Sequence, residues 1–525
     1  MNFALFLEMR ARAAPDAVAL VDRRCRLTFD ELNTLANRFA NHLRAAGLVP
    51  QERVAIHLPN RAEVVIALLG AFKCGAIAVP LNWRLIDADL TRLIDHCAPA
   101  CMVTTAERAA ATQRAGLSVL TVDDAPRSGS FWSTLEANAP GGSALPCQGS
   151  DIANLLYTSG TTSFPKAAIH THGMRVAIGA AMADAFRLSS ADVALGVSPL
   201  FHTGGFSVFA NAVFSGCKLV LLEKWNLEDF LTAIETERVT FMHMITTLVV
   251  DIARADAQLF RSDLGSMRLT WGGGHAVDPE MFERFEQRIG GVFVQGYSRT
   301  EGGLTYNPPE RALRRFDANG VANRNSCELA IIDPASEAIL AAESEGEIVV
   351  RGDGVTPGYW DGAAVLSPRI VAGNWQATGD RGVLESDGTL RFLGRFDDMI
   401  KTGGENVYPN EVQAVLLKLL YLKDAVVFGM PDERLGQRVS ALVVPTGAGV
   451  TLAQIEQACR AALPGFKIPR SIAMVEALPR LGTQKVDIAA CRQLITSGNP
   501  APAVTSAASV ACVAAVAEAS APAPS

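Results

Sequence analysis

Hydrophobic positions recur at helical spacing close to the start of the chain. Between residues 28 and 46, one face of a helix would carry Leu32, Leu35, Ala36, Phe39, Ala40 and Leu43. Asp30 and Glu31 would lie in its first turn, where carboxylates interact favourably with the helix dipole. The pattern therefore predicts an amphipathic helix over these residues.

Short apolar runs then alternate with longer helical patterns. The run ERVAIHLP is followed by a helical pattern at residues 62–74 and by another apolar run at 76–80. Similar apolar runs recur further along, at 218–223, 239–244 and 267–271. Such alternation is typical of α/β chains with parallel strands. We expect a large N-terminal α/β body with several sheets.

A different pattern begins after Trp375. The stretch GTLRFLGRFDDMIKTGGENVYP is rich in turn-forming and charged residues and precedes a segment of about 100 residues with its own helices and strands. This segment predicts a small α+β domain. We place the body at residues 1–394, a hinge at 395–397, the small domain at 398–494 and an Ala/Pro/Ser-rich tail at 495–525, which we expect to be disordered because it has little apolar surface to bury.

Composition narrows the classes of function. The chain of 525 residues is 49% hydrophobic and has a formal net charge of -7 with interspersed charges, which does not suggest a nucleic-acid binder. The ten cysteines form no CxxC pair, which indicates reduced thiols and a cytoplasmic location. The apolar start contains Glu8 and lacks the pattern of a signal peptide, and residues 206–222 are too short and polar to span a membrane.

A hydroxyl-rich loop, YTSGTTSFPK, follows a predicted strand end at residues 154–157. Its backbone N–H groups and hydroxyls could donate to phosphate oxygens, and its glycine would let a ligand approach the backbone closely. It lacks the GK[ST] of the P-loop, and taken alone it could equally be a solvated turn. The candidate phosphate ligands are Thr158, Ser159, Gly160, Thr161, Thr162 and Lys166.

Further motifs follow in order: SPLFHTGG, WGGG, GYSRTEGG, TGD, GRFDDMIKTGGENVYPNEV and LPRLGTQK. In order and spacing, the whole series resembles the adenylate-forming enzymes, a superfamily that includes acyl-CoA synthetases. The resemblance covers roughly residues 5–494. Within that superfamily the chain is most similar to aryl- and acyl-CoA ligases of the 4-chlorobenzoate–CoA ligase type.

The resemblance implies a ligase that works in two steps. A carboxylic acid and ATP would form acyl-AMP and pyrophosphate, and the thiol of CoA would then displace AMP, with Mg²⁺ as the metal. The acid would be a hydrophobic aryl or aliphatic one. Two alternatives stay open: transfer to a carrier protein instead of CoA, and a catalytically idle protein that binds acyl-adenylate. The oligomeric state, including a homodimer, also stays open.

The resemblance also assigns roles to single residues. Glu301 would hold Mg²⁺, Thr300 would bind the α-phosphate, and Lys485 would bridge the attacking carboxylate and the phosphate. For the nucleoside, Asp380 and Arg395 would bind the ribose, and Tyr297 would stack on adenine beside Ser298, Gly273 and Gly274.

The acid and CoA would use other residues. The acyl pocket would be lined by His202, which we also count as catalytic, and by Met244, Gly272 and Gly296; the small residues Gly273 and Gly296 would leave room for an acid longer than a benzoate. Asp397 occupies the hinge position, and the CoA channel would contain Lys401, Gly403 and Gly404.

The chain departs from the family pattern at a few positions. Serine replaces the usual glycine at Ser163 and Ser298, and Arg299 is an unusual residue before the Thr-Glu pair. If Ser163 needs a positive φ, its side chain costs about 1 kcal/mol of strain. Arg299 would either confer selectivity or lie in solvent. Because every charged catalytic position is kept, we expect an active enzyme with an atypical substrate preference.

Overall fold

The computed structural model describes residues 1–158, 165–273, 279–310, 314–362, 364–481 and 486–497. These residues form two compact units. The first contains Met1–Trp225 and Phe230–Asp397, and the second contains Asn226–Asp229 and the described residues from Asp398 onward.

Helices and strands of the first unit alternate along most of its length. Its helices are α1 (Leu5–Ala13), α2 (Phe29–Ala45), α3 (Ala62–Lys73), α4 (Asp87–Cys97), α5 (Ala106–Thr112), α6 (Ser130–Ala137), α7 (His172–Phe186), α8 (Thr203–Ser215), α9 (Leu227–Glu237), α10 (Thr246–Arg254) and α11 (Pro279–Ile289), with a 3₁₀ turn at Ala257–Leu259. Its strands up to the glycine-rich motifs are β1 (Val18–Val21), β2 (Arg26–Thr28), β3 (Arg53–His57), β4 (Ile77–Pro80), β5 (Cys101–Thr105), β6 (Ser118–Val122), β7 (Ile152–Tyr157), β8 (Ala167–Thr171), β9 (Val193–Gly196), β10 (Lys218–Leu221), β11 (Phe241–Ile245), β12 (Leu269–Gly273) and β13 (Val292–Gln295).

Nine further strands follow in the described rest of that unit. They are β14 (Thr305–Tyr306), β15 (Val321–Ala322), β16 (Glu328–Ile332), β17 (Glu345–Arg351), β18 (Tyr359–Trp360), β19 (Val365–Leu366), β20 (Ile370–Val371), β21 (Trp375–Leu384) and β22 (Leu390–Arg395). The second unit contains β23 (Ile400–Thr402), β24 (Glu405–Val407), α12 (Pro409–Leu417), β25 (Leu422–Asp432), β26 (Gly436–Pro445), α13 (Leu452–Ala462), β27 (Ser471–Met474) and α14 (Ile488–Ser497).

Two large sheets carry most of the first unit. One has the strand order β13-β12-β11-β9-β10-β1-β2, in which every neighbouring pair except β1–β2 is parallel. The other has the order β19-β18-β8-β7-β4-β3-β5-β6 and is parallel from β7 to β6. These parallel strands confirm the predicted α/β body.

A third sheet of the first unit was not predicted. It runs β16-β17-β21-β20, with β22 added at β21, and all of its pairs are antiparallel. No helix lies between its strands in the described part of the chain, so the alternation of strands and helices, which is the signal of a parallel sheet, does not predict it. This sheet carries the TGD motif.

The predicted helices exist with slightly different limits. Helix α2 begins after Thr28, whose hydroxyl accepts from the Glu31 backbone while the Glu31 carboxylate accepts from the Thr28 backbone. The pattern of residues 62–74 is helix α3, and all of its residues are buried. At the other end of the chain, α14 includes residues 495–497, so the predicted start of the tail at 495 is wrong by one helical turn.

The apolar core of the first unit is continuous between its two large sheets. Side chains from α1, α2, α3 and α8 and from strands of both sheets join one cluster of buried residues. A helix surrounded by such a core has no solvent-facing stripe, which explains why α3 is apolar almost throughout. Among the described residues, no helix has the length and apolarity needed to cross a membrane. The nine cysteines in the described part carry free thiols.

The second unit has its own core. Strands β25 and β26 pair along nearly their whole length, β27 joins β26 in parallel, and β23 and β24 form the far edge. Helices α12 and α13 pack onto a cluster of buried apolar residues on this sheet. The arrangement is the small α+β domain that the sequence predicts.

An ion pair is buried where α1 meets α3. The Lys73 ammonium lies 2.6 Å from a Glu8 carboxylate oxygen, and both side chains are less than 5% exposed. Burial favours the neutral acid, but hydrogen bonds from Lys73, Ser143 and the backbone of Ala144 outweigh it and hold the pKa of Glu8 below its ordinary value. The charge inside the apolar N-terminal stretch is therefore a structural one.

Replacement of Glu8 by Gln should lower the free energy of unfolding by about 3 kcal/mol, because Lys73 would remain buried without a counter-charge. Urea unfolding followed by circular dichroism measures this change. The stabilising pair should also weaken in wild type as the pH falls through the lowered pKa of Glu8, since ionised Glu8 is favoured in the folded state.

The matched control is Arg12→Gln. Arg12 also pairs with Glu8, at 3.8 Å, but its side chain is 79% exposed, so its loss should cost less than about 0.5 kcal/mol. Equal effects of the two substitutions would contradict a special role for the buried pair.

Candidate functional site

The carboxyl ends of four parallel strands meet at one edge of the first sheet. His202 lies in the segment between β9 and α8, Met244 is near the end of β11, Gly272 is near the end of β12, and Gly296 follows β13. Ligands of open α/β sheets bind at this type of edge. Motifs far apart in the sequence are therefore brought together by strand order.

The backbone of the GYSRTEGG motif is held from the neighbouring sheet. The Nε2 of His170 donates to the carbonyl oxygen of Thr300 at 2.7 Å, and the Nδ1 of the same ring contacts the guanidinium of Arg175. Arg175 also donates to Asn154 at 2.9 Å and is almost completely buried. The position of Thr300 is thus fixed by the core.

Glu301 is a mostly buried carboxylate with two stabilising neighbours. The Tyr359 hydroxyl donates to its Oε1 at 2.8 Å, and the Arg299 guanidinium lies 3.9 Å from its Oε2. Burial works against ionisation, but these neighbours outweigh it and lower the pKa of Glu301. Glu301 is therefore ionised at neutral pH.

Asp380 is the second buried carboxylate of this region. It lies on β21 directly opposite Arg395 on β22, and the two side chains form an ion pair of 3.2 Å. The Tyr297 hydroxyl donates to its other oxygen at 2.6 Å. Burial raises the pKa of Asp380 above its ordinary value, against the opposing effects of Tyr297, Arg299 and Arg395.

Tyr297 differs from its expected role. The sequence predicts that its ring stacks on adenine, but its side chain packs against Phe392 and among the apolar residues of the third sheet, with 6% of the residue exposed. Little of the ring face is open to a base in this conformation. The observed contact of Tyr297 is the hydrogen bond that orients Asp380, while the neighbouring Ser298 is exposed.

The hydroxyl-rich loop connects an antiparallel hairpin. Tyr157 at the end of β7 pairs with Ala167 at the start of β8, and the Thr158 N–H donates to the Lys166 carbonyl at 2.8 Å. The Lys166 side chain is exposed, and its ammonium lies 5.2 Å from the centre of the Tyr359 ring. The remaining candidates of this loop lie outside the described residues: Ser159, Gly160, Thr161, Thr162 and Ser163.

The glycines of the predicted acyl pocket lack side chains for a reason other than the one predicted. A Cβ on Gly272 would lie 2.0 Å from the Met244 carbonyl oxygen, and one on Gly296 would lie 2.2 Å from the Thr305 carbonyl oxygen. A Cβ on Gly273 would also approach a backbone oxygen, to 2.8 Å. At each of these glycines, backbone atoms already fill the place that a Cβ would take. The absence of a side chain is therefore required by backbone packing and does not by itself leave room for an acid. Met244 itself is fully buried.

A second histidine accompanies His202. The His243 ring packs 4.8 Å from the Trp271 ring, and its Nδ1 is 3.2 Å from the Ser198 hydroxyl. Burial, with a smaller effect of His202, lowers the pKa of His243 to about 3, so this ring is neutral at physiological pH. His202 is half-buried just before α8 and is therefore the more accessible of the two.

The candidates for the hinge and the CoA channel lie at and after the end of the first unit. Asp397 is the last residue of the first unit and is exposed. In the second unit, Lys401 is exposed on β23, and Gly403 and Gly404 form the turn to β24 with positive φ angles of 61° and 87°. Gly274 and Lys485 lie outside the described residues.

Sequence reasoning missed Tyr359 and His170 as contacts of the Thr-Glu pair. The Tyr359 contact with Glu301 joins residues 58 positions apart, and no spacing rule connects them. The only local signal was a Pro-Gly-Tyr-Trp turn at residues 357–360. His170 is buried, and its contact with Thr300 joins residues 130 positions apart.

The residues around Glu301 fit a magnesium ion. Mg²⁺ in nucleotide-binding proteins is held by one or two carboxylates together with substrate phosphates. Glu301 is an ionised hard ligand, and its Oε2 lies 3.9 Å from Arg299, beyond hydrogen-bond distance. Among the described residues, no cluster of three His, Cys, Asp or Glu side chains could hold a metal.

Comparison with protein families identifies both units. A family model described as AMP-binding enzyme matches residues 7–360, and a model described as AMP-binding enzyme C-terminal domain matches residues 411–485.

Individual relatives match nearly the whole chain. It is 30% identical over 497 residues to a long-chain-fatty-acid–CoA ligase of Mycobacterium tuberculosis, covering 92% of this chain and 97% of the relative. It is 32% identical over 481 residues to a feruloyl-CoA synthase of an Amycolatopsis species, covering 91% and 96%. The ATP-bound crystal structure of MatB from Rhodopseudomonas palustris superposes with a TM-score of 0.84 at 25% identity, covering 94% of this chain and 99% of that chain.

The glycine geometry leads to a stability prediction. Gly296→Ala should lower the free energy of unfolding by at least about 2 kcal/mol without any ligand, because the new Cβ must displace the Thr305 backbone. Urea unfolding of the ligand-free protein measures this. Ser298→Ala, an adjacent and exposed change, is the control and should shift the value by less than about 0.5 kcal/mol. A fully stable Gly296→Ala protein with altered acid preference would instead restore the pocket interpretation.

Proposed function

The chain belongs to the AMP-binding enzyme family and is an AMP-forming acid–CoA ligase, and we propose that its substrate is a hydrophobic aryl or aliphatic carboxylic acid. We further propose the division of labour among its residues that the motifs imply. The observation that carries the residue assignment is the convergence of Glu301, Asp380, Arg299 and Arg395 within one unit of the structure.

The two carboxylates suit the two ends of a nucleotide. Asp380 is oriented by Tyr297 and retains acceptor capacity for ribose hydroxyls, a task that a carboxylate with two oxygens performs well. Glu301 is ionised and suits Mg²⁺, which would be bound with ATP phosphates and would neutralise their charge. Thr300, next to Glu301, supplies a hydroxyl for the α-phosphate.

The first step exchanges one bond at phosphorus for another. An oxygen of the acid attacks the α-phosphorus, the bond to pyrophosphate breaks, and acyl-AMP remains. Negative charge is concentrated on the phosphates during this step, so positioned donors and cations supply most of the catalysis. Lys485 is proposed to contact the attacking carboxylate and the phosphate, and Lys166 to contact the leaving phosphates.

The second step transfers the acyl group from AMP to the CoA thiol. We propose that Lys401, Gly403 and Gly404 contact the pantetheine arm, since two glycines with positive φ present bare backbone there. Asp397 is proposed as the hinge between the two steps because it ends the first unit on an exposed turn.

The proposed acid class rests on the surroundings of His202. Phe201 is apolar, buried and in ring contact with His202; Met244 and Trp271 of the same sheet are also apolar and buried, and burial keeps His243 neutral. Two relatives are named for long-chain fatty acids and for a feruloyl group, and both of these acids have an apolar chain or ring. Both observations favour an acid with an apolar body.

The experiment is an acid panel with ATP, Mg²⁺ and CoA, read as AMP release. Benzoate, a hydroxycinnamate and fatty acids of increasing length should include substrates, whereas malonate, as the polar control, should be turned over poorly. Each active acid is then assayed with a holo acyl carrier protein in place of CoA. Transfer only to the carrier protein would establish the alternative acceptor, and absence of pyrophosphate release with every acid would indicate an idle binder.

Lys485→Ala should reduce ATP–pyrophosphate exchange by about 100-fold or more, because a cation aimed at developing charge is lost. Lys401→Ala is the matched control: it should keep exchange near the wild-type rate and slow thioester formation. Circular dichroism checks that both variants fold. Exchange at the wild-type rate in Lys485→Ala would show that this lysine does not serve adenylation.

A further inference from the structure

Arg299 occupies the site in an unexpected way. It follows the exposed Ser298, yet its own side chain is only 12% exposed. Of the two predicted alternatives, the one in which Arg299 lies in solvent is excluded, because its guanidinium lies inside the protein within 4 Å of Asp380 and Glu301.

The contacts of this guanidinium are electrostatic without being hydrogen bonds. Its Nε lies 3.8 Å from Asp380 Oδ2 and its Nη2 lies 3.9 Å from Glu301 Oε2, both beyond hydrogen-bond distance. Its Nη1 is enclosed and has no hydrogen-bond partner in the described part of the chain. The N–H donors of Nη1 are therefore held in the site without an acceptor among the described residues.

The carboxylates do not close onto Arg299 because other residues hold them. Asp380 accepts from Tyr297 at 2.6 Å and pairs with Arg395, and Glu301 accepts from Tyr359 at 2.8 Å. Burial disfavours a charged guanidinium, but arginine keeps its proton in proteins, and both carboxylates lie within 4 Å of it. An enclosed cation with unmade hydrogen bonds is costly unless a ligand supplies the acceptors.

We propose that Arg299 donates hydrogen bonds to the α-phosphoryl group of bound nucleotide, in ATP and in the acyl-adenylate. This inference rests on the proposed function, which assigns ribose to Asp380 and the metal-bound phosphates to Glu301. The α-phosphate connects these two parts of the nucleotide, and Arg299 lies within 4 Å of both carboxylates. The planar guanidinium matches the spacing of phosphate oxygens, which a lysine does not.

The same contact serves both half-reactions. When the acid oxygen bonds to the α-phosphorus and the bond to pyrophosphate breaks, negative charge builds up on the α-phosphoryl oxygens. Arg299 stabilises this charge as a donor and keeps its protons throughout. In the second step, the CoA sulfur bonds to the acyl carbon, the thiol proton passes to solvent, and the bond between the acyl carbon and the phosphate oxygen breaks. Arg299 stabilises the phosphate of departing AMP.

The competing account is purely structural. In it, Arg299 only neutralises Asp380 and Glu301 and keeps them in position, without contacting the ligand. The two accounts differ for a ligand that lacks phosphate. Loss of a positioning residue disturbs the ribose ligand Asp380 and weakens AMP and adenosine alike, whereas loss of a phosphate ligand weakens AMP selectively.

The experiment measures dissociation constants of AMP and adenosine by calorimetry for wild type, Arg299→Met and Arg299→Lys. Arg299→Met should weaken AMP by about 10- to 100-fold, in the range expected for hydrogen bonds to a charged group, and adenosine by less than about 3-fold. Arg299→Lys should recover part of the AMP affinity because it keeps the charge but not the planar fork.

Tyr297→Phe is the matched control. It removes the donor that orients Asp380, so it should weaken AMP and adenosine by the same factor. Equal weakening of both ligands in Arg299→Met and Arg299→Lys, or no change in either, would overturn the proposal for Arg299. Failure of the wild-type protein to bind AMP or adenosine would overturn the proposed function as well, which distinguishes the two failures.

Discussion

The site depends on keeping two buried carboxylates charged close to a single guanidinium. Asp380 and Glu301 each lie within 4 Å of Arg299, and like charges in a poorly hydrated region raise each other's pKa. The phenols and cations that oppose this effect come from separate segments: Tyr297 from the end of β13, Tyr359 from β18 and Arg395 from β22. The three larger sheets of the first unit must therefore be in place before the site exists.

The pKa values of the two carboxylates are shifted in opposite directions, and this difference fits their proposed tasks. The pKa of Glu301 is lowered, so a ligand for a divalent cation is ionised before the cation arrives. The pKa of Asp380 is raised by burial, so its charged form is held at some cost to the folded state. Ribose hydroxyls would supply the missing hydrogen bonds. Under the proposed assignment, these hydrogen bonds to a poorly solvated carboxylate would contribute part of the favourable free energy of nucleotide binding.

The sequence predicts the parallel sheets and the order of the motifs, but it predicts contacts between motifs poorly. Spacing identifies the helix that Thr28 caps and the buried helix α3, because periodicity is a local property. The pairing of Tyr359 with Glu301 and of Tyr297 with Asp380 depends on how three sheets pack, which no local pattern encodes. Gly296 is a further example. The sequence shows that this position has no side chain, but the reason is the nearby backbone of Thr305, which only the structure reveals.

The stiffness of the Thr-Glu motif has its origin in the core of the neighbouring sheet. Burial lowers the pKa of Arg175 to about 9, and among the described residues no carboxylate neutralises it; its partners are Asn154, His170 and the face of Phe206. Such a residue costs stability, and the contact it maintains is that of His170 with the Thr300 carbonyl. A buried arginine on helix α7 thereby fixes the tautomer and orientation of a histidine, and that histidine fixes the backbone between Arg299 and Glu301. The donors proposed for the α-phosphate are held by the interior of the protein, so they need no reorganisation when charge develops on the ligand.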